Sequence, residues 1–213
     1  MTVCLSGRKD VEISEKTREA VRRVCRKHGG FVRTAEALRA GVHPRALYAL
    51  RDEGFLERLE RGLYRLAELP AIAQPDLVTV ALKVPSGVIC LISALAFHEL
   101  TTQIPHEVSV ALRRRSEMPR LQFPPIRVYW FASKALAAGV ETHEIDGVSV
   151  RIYSPEKTLA DCFKYRNKIG LETAVEALRL YRERRKLNSQ ALMEYAAIDR
   201  VQNVMRPYLE AVL

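Results

Sequence analysis

The sequence predicts an α+β protein: a helical first third closed by a small hairpin, then a mixed α/β part with a small antiparallel sheet and C-terminal helices. Helical periodicity fills residues 14–54 and yields to alternation across "FLERLERGLYRL". A proline-marked break, "ELPAIAQPDL", lies near residues 68–76. Beyond it, short strand-like runs precede long helical ones. The break divides the chain into residues 1–70 and residues 71–213.

Residues 1–13 show no period and read as a flexible lead. From Ser14 a helix is expected, with Val21, Val24, Cys25 and His28 on one stripe, and "HGG" ends it. A second, short helix follows Thr34, a good N-cap, through "AEALRA". Gly41 and Val42 make a tight turn. A third helix spans "HPRALYALRDEG", with Pro44 suited to its first position and Gly54 to its end. The hairpin turns near Gly62. After the break, "DLVTVALKV" and "GVICLISALAFHEL" read as buried helices. The strands expected are "HEVSVAL", "IRVYWF", "VETHEI" and "VSVRIYS", the last two joined by Asp146-Gly147, a strong hairpin signal. Closing helices are expected over residues 155–165, 171–184, 189–197 and 201–212.

Composition narrows the function. With 213 residues and 48% hydrophobic content, the chain has enough apolar surface for real cores. No apolar run reaches about 18 residues, so no membrane span is expected, and the charged N-terminus lacks the form of a signal peptide. Cys4, Cys25, Cys90 and Cys162 are far apart and form no CxxC. A reduced, cytoplasmic protein is expected. The net charge of +9 favours a polyanionic partner. Residues 1–70 hold 15 Lys or Arg against 10 Asp or Glu, a net of +5, so the positive charge is denser there.

Helix, short helix, turn, helix, hairpin is the order of a winged helix-turn-helix. On a helical wheel Leu47 and Leu50 set the inward direction of the third helix. Arg45, Tyr48, Ala49 and Asp52 then point outward, with Arg51 on the flank. Arginine bonds guanine bidentately, while tyrosine and alanine meet thymine methyls or phosphates. Asp52 is unfavourable beside phosphate and belongs late in the helix. Arg58 and Arg61 sit where a wing reaches phosphate or the minor groove, and Gly62 allows a tight approach. A solvated helical face and a protein-contact surface remain the competing readings.

"RTAEALRAGVHPRALYALRDEGFLERLERGLYRL" resembles the N-terminal winged-helix domain of the AbiEi family of antitoxins and predicted regulators of phage-defence operons. "ISALAFHELTTQIPHEVSVAL" is similar to the family's helix-to-strand segment, and "YSPEKTLADCFKYRNKIGLETAVEALRLY" to its C-terminal signature. The resemblance runs over about residues 14–212. It implies an antitoxin of a type IV toxin–antitoxin pair that binds double-stranded DNA at repeats in its own promoter and represses the operon. The implied second partner is a cognate nucleotidyltransferase-like toxin, linked in function whether or not the two proteins touch. The C-terminal domain is associated with antitoxicity and assists DNA binding through basic residues. Position in the motif makes Arg45, Tyr48, Arg51, Arg58 and Arg61 the DNA-contact residues. The alternative is a non-catalytic module that directly binds a partner toxin.

Signals for catalysis are weak. His98-Glu99, His106-Glu107 and His143-Glu144 lack the HExxH spacing of a zinc site. A nucleotidyltransferase needs clustered carboxylates, yet no DxD occurs, and Asp146, two residues from Glu144, opens a turn. There is no P-loop, GxSxG or dinucleotide fingerprint. Asp161 and Lys164 read as an exposed ion pair, or else Lys157, Lys164, Arg166 and Lys168 form a second basic surface. Arg113, Arg114 and Arg115 lie on a loop, as a polyanion contact or as solvated charge. Arg182, Arg184, Arg185 and Lys186 end a helix, where positive charge suits the dipole. No catalytic residue, metal or cofactor is expected.

Overall fold

The computed structural model describes residues 13–185 and 187–212, so most of the expected lead, with Cys4, and Lys186 lie outside the described residues. The chain divides into two compact units, Met1–Ile72 and Ala73–Leu213. The first runs α1 (Glu15–Lys27), β1 (Phe31–Arg33), α2 (Thr34–Arg39), α3 (Pro44–Asp52), β2 (Leu56–Glu60) and β3 (Leu63–Leu66). Its sheet is antiparallel in the order β1-β3-β2. Local chemistry accounts for the helix ends. Ser14 caps α1 by accepting from the Thr17 N–H, and the His43 side chain accepts from the Arg45 N–H with Pro44 in the first position of α3.

Three local expectations need correction. Thr34 is the first residue of α2 and not its cap; its N–H donates to the Gly62 carbonyl, while Glu36 reaches back to the Arg33 N–H. His28 is exposed and falls off the stripe whose buried members are Val21 and Cys25. The third difference is β1, an unexpected strand made by pairing Val32 with Tyr64. Val21, Cys25, Val32, Ala37, Leu47, Leu50, Leu56, Tyr64 and Leu66 form the first core.

The second unit runs α4 (Pro75–Lys83), β4 (Val88–Ile89), α5 (Leu91–Phe97), β5 (Val108–Arg113), β6 (Ile126–Phe131), α6 (Ser133–Ala137), β7 (Val140–Ile145), β8 (Val148–Tyr153), α7 (Pro155–Lys164), α8 (Arg166–Ile169), α9 (Leu171–Arg184), α10 (Ser189–Asp199) and α11 (Gln202–Val212). Five strands form one sheet in the order β6-β5-β4-β8-β7. The fold class stands; this sheet is larger than expected and mixed, with β4–β8 and β5–β6 parallel and the other pairs antiparallel. "GVICLISALAFHEL" is not one helix. Val88 and Ile89 are the central strand, and α5 starts only at Leu91. Asp146 and Gly147 take φ of 50° and 76°, as the β7–β8 hairpin requires. Residues of β5, β6 and β8 pack with α5, α7, α9, α10 and α11 in the second core.

Candidate nucleic-acid interface

The core of the first unit orients α3. Leu47 and Leu50 are fully buried, which leaves Arg45, Tyr48 and Asp52 exposed on the opposite side. Ala49 is a correction: it is partly buried against the first core and so flanks the outward face instead of standing on it. Gly62, with φ of 74°, turns the chain between β2 and β3, and Arg58 and Arg61 are both exposed on this ribbon. A Cβ added to Gly62 would lie 3.3 Å from Thr34 Oγ1. The glycine therefore seats the ribbon against α2. Arg65, the hairpin's remaining arginine, is buried, ion-paired with Glu57 at 3.6 Å and donating to the Pro70 carbonyl.

Helix and ribbon meet electrostatically around Tyr64. The Arg51 guanidinium lies 5.7 Å from the centroid of the Tyr48 ring and bonds Asp52 at 2.6 and 2.9 Å. That hydrogen bond holds Arg51 above its ordinary pKa. Tyr64 stands opposite Arg58 in the β2–β3 register. Burial pushes its phenol up and Tyr48 adds to the shift, while Arg58 and then Arg51 oppose it. Tyr48, Arg51, Arg58 and Tyr64 thus share one field, with Tyr64 as the buried floor. Its place in an apolar strand, "LYRL", is the only sequence signal for that role. Arg45 starts α3 and Arg61 turns the ribbon, so they bracket this cluster along the chain. On α1, Arg18 and Arg22 lie over the Phe55 ring and pair with Glu53 and Glu68, a structural use of two further cations.

In the second unit, Arg113 ends β5 and Arg114 and Arg115 form the turn after it; all three are exposed. The turn is set by the Arg114 N–H donating to the Phe131 carbonyl and by φ of 68° at Arg115.

Elsewhere the second unit overturns one pairing. Asp161 is not on the surface and does not pair with Lys164. It is fully buried and bonds Lys157, which is equally buried and cannot join a basic surface. Lys157 also donates to Asp199 at 2.9 Å, and Lys164 reaches the other oxygen of Asp199 at 2.8 Å. The Tyr153 and Phe131 rings face the Lys157 ammonium at 4.9 and 5.2 Å. Burial drives the Asp161 carboxyl well above the carboxylate range, with Asp199 adding to the rise and Lys157 opposing it. Asp199 also feels burial, but Lys157 and hydrogen bonds from Asp161, Lys164 and Lys157 outweigh it and hold the group low. Lys157 stays protonated because its two carboxyl partners overcome its own burial. This network ties α7 to α10 in the core.

No three His, Cys, Asp or Glu side chains come together as metal ligands among the described residues. His98 caps α5, and its Nε2 lies 2.7 Å from the Tyr153 carbonyl; burial lowers its pKa. His143 pairs with Glu141, and His106 is exposed. Cys25, Cys90 and Cys162 are free and buried, and burial raises each thiol, Cys25 to about 12. No described helix is long and apolar enough to cross a membrane.

The fold has a counterpart among solved structures. The crystal structure of RV2827C protein from Mycobacterium tuberculosis is similar, with a TM-score of 0.50 at 14% identity over 93% of this chain and 82% of that one. No curated protein matches the sequence. A family model described as "Transcriptional regulator, AbiEi antitoxin" matches residues 10–67, the stretch that holds the helices and ribbon of the first unit. Over residues 10–67 the chain is therefore similar to the AbiEi antitoxin family of transcriptional regulators.

Proposed function

We propose that the protein is a DNA-binding autorepressor and antitoxin of a type IV toxin–antitoxin operon concerned with phage defence, acting in the cytoplasm without catalysis. Residues 1–70 bind repeats in the protein's own promoter, and residues 71–213 carry the antitoxin role toward a nucleotidyltransferase-like toxin. The observation that carries this reading is that one unit exposes both the α3 side chains Arg45 and Tyr48 and the ribbon arginines Arg58 and Arg61. Helix side chains in the major groove choose the sequence, while ribbon arginines supply sequence-independent phosphate attraction. Arg113, Arg114 and Arg115 add a further polyanion contact.

A gel-shift series on the upstream DNA tests the assignment. Arg45→Ala is expected to cost about 1–3 kcal/mol on the operator and little on unrelated duplex. Arg61→Ala is expected to weaken both alike. Unchanged binding by both variants would sink the assignment. The second reading, a module that holds a toxin directly, is favoured by the Arg51–Asp52 pair and by the exposure of Leu38 at 50% and Tyr48 at 48%. Co-purification with the neighbouring gene product, without salt-dependent DNA binding, would establish it.

A further inference from the structure

The two edges of the second unit's sheet differ in chemistry. At one edge, β7 carries Glu141, His143 and Glu144, charged or titratable groups of the kind that discourage strand addition. The other edge, β6, reads Ile126-Arg127-Val128-Tyr129-Trp130-Phe131, with one charge in six residues. The parallel ladder fixes which groups it offers. Pro125 O accepts from the Val108 N–H and Phe131 O from the Arg114 N–H, so the odd-numbered residues turn their main chain toward β5. Ile126, Val128 and Trp130 turn theirs away. Among the described residues, the one bond recorded on that side is a long one, 3.4 Å, from the Tyr165 hydroxyl to the Trp130 carbonyl.

The side chains of the same three residues form an unfinished row. The register sets Ile126, Val128 and Trp130 beside Val108, Val110 and Leu112, which are all buried. Val110 points toward Gly87 and Val84 at the end of α4, and α4 lies against β8 and β5. The row then continues onto β6, where Ile126 and Val128 are half-buried and Trp130 is exposed at 38%.

We infer that the β6 edge is a self-association surface, to which a second copy of this chain adds its own β6 antiparallel about a two-fold axis at Val128. The pattern is self-complementary, as an isologous contact must be. With Val128 opposite Val128 of the second copy, Ile126 faces Trp130 on the apolar side, and each outward residue exchanges main-chain hydrogen bonds with its opposite. On the other side of the sheet, Arg127 comes opposite the second copy's Tyr129, so no like charges are opposed. Arg127 already lies 5.9 Å from its own Tyr129 ring, in cation–π range. A six-residue edge buries less than the roughly 1,600 Å² of a standard stable interface, so the association is weak and concentration-dependent. The inference does not rest on DNA binding.

Sedimentation velocity of the full chain at rising concentration, with amide NMR shifts as a second readout, tests it. The wild type is expected to associate reversibly, with shifts that centre on residues 126–130. Val128→Pro removes an outward-facing donor while leaving the β5 ladder intact, and is expected to weaken association about tenfold or more. Trp130→Glu, at an exposed position, is expected to act alike by setting a charge against Ile126 of the second copy on the apolar side, and guards against misfolding of the proline variant. A wild type that stays monomeric into the high-micromolar range overturns the inference. So does association that both variants retain.

Discussion

Among single residues, Asp161 illustrates how burial reassigns a charge. Its Oδ2 is buried and accepts from no donor among the described residues, while its Oδ1 accepts from Lys157. A proton on Asp161 resolves this by turning the acid into a donor toward Asp199, whose own carboxyl is held low. Asp161 therefore holds its proton to higher pH in the folded chain than in the unfolded one. The raised pKa leaves stability intact below the unfolded carboxylate value and erodes it as pH climbs toward the folded one. Asp199 has the opposite sign: its contribution is present above the unfolded value and is lost as pH falls through the lowered folded one. Asp161→Asn, which mimics the neutral acid, is expected to keep or raise stability at neutral pH and to flatten the decline with rising pH. Asp199→Asn removes the buried carboxylate that Lys157 and Lys164 share and is expected to cost about 3–5 kcal/mol. Urea unfolding across a pH series checks both. Equal losses in the two variants would mean that Asp161 is ionised.

Between elements, legibility followed the range of the interaction. The β7–β8 hairpin was readable because Asp146-Gly147 encodes its own turn, and α3 was readable because Pro44, Leu47, Leu50 and Gly54 are local signals. β1 and β4 were not, because two- or three-residue strands exist only through distant partners, Val32 with Tyr64 and Ile89 with Ile152. The candidate interface divides in the same way. The outward direction of Arg45 and Tyr48 follows from periodicity, whereas the capture of Arg51 by Asp52 and the floor supplied by Tyr64 depend on rotamers and a register that periodicity does not encode. Two glycines separate backbone strain from packing at this scale. Gly54 and Gly62 share φ of 74°, but a Cβ meets nothing within 4 Å at Gly54 and meets Thr34 at Gly62. Gly54→Ala is expected to cost about 1 kcal/mol from the left-handed backbone alone. Gly62→Ala should cost more and also weaken DNA binding by shifting the ribbon, as denaturant unfolding and gel shifts would show. Equal stability losses with unaltered binding would remove the seating role of Gly62.

For the whole molecule, the relevant quantity is how charge is spread between two units. Of the net +9, residues 1–70 hold +5, yet several of their cations are committed internally: Arg18 and Arg22 to Glu53 and Glu68, Arg51 to Asp52, and Arg65 to Glu57. Net charge therefore overstates the surface available to phosphate, and the salt dependence of binding is the better measure. Each phosphate neutralised on duplex DNA contributes about 0.9 to the slope of log affinity against log salt. Arg61→Ala is expected to lower that slope by about 1. Replacing Arg113, Arg114 and Arg115 together by alanine tests the second unit, because the three form one exposed turn anchored by main-chain bonds that alanine leaves in place. A fall in slope of about 2–3 is expected if all three neutralise phosphate. A slope unchanged by the triple replacement, beside a slope reduced by Arg61→Ala, would confine the DNA contact to the first unit and leave the triplet to solvent.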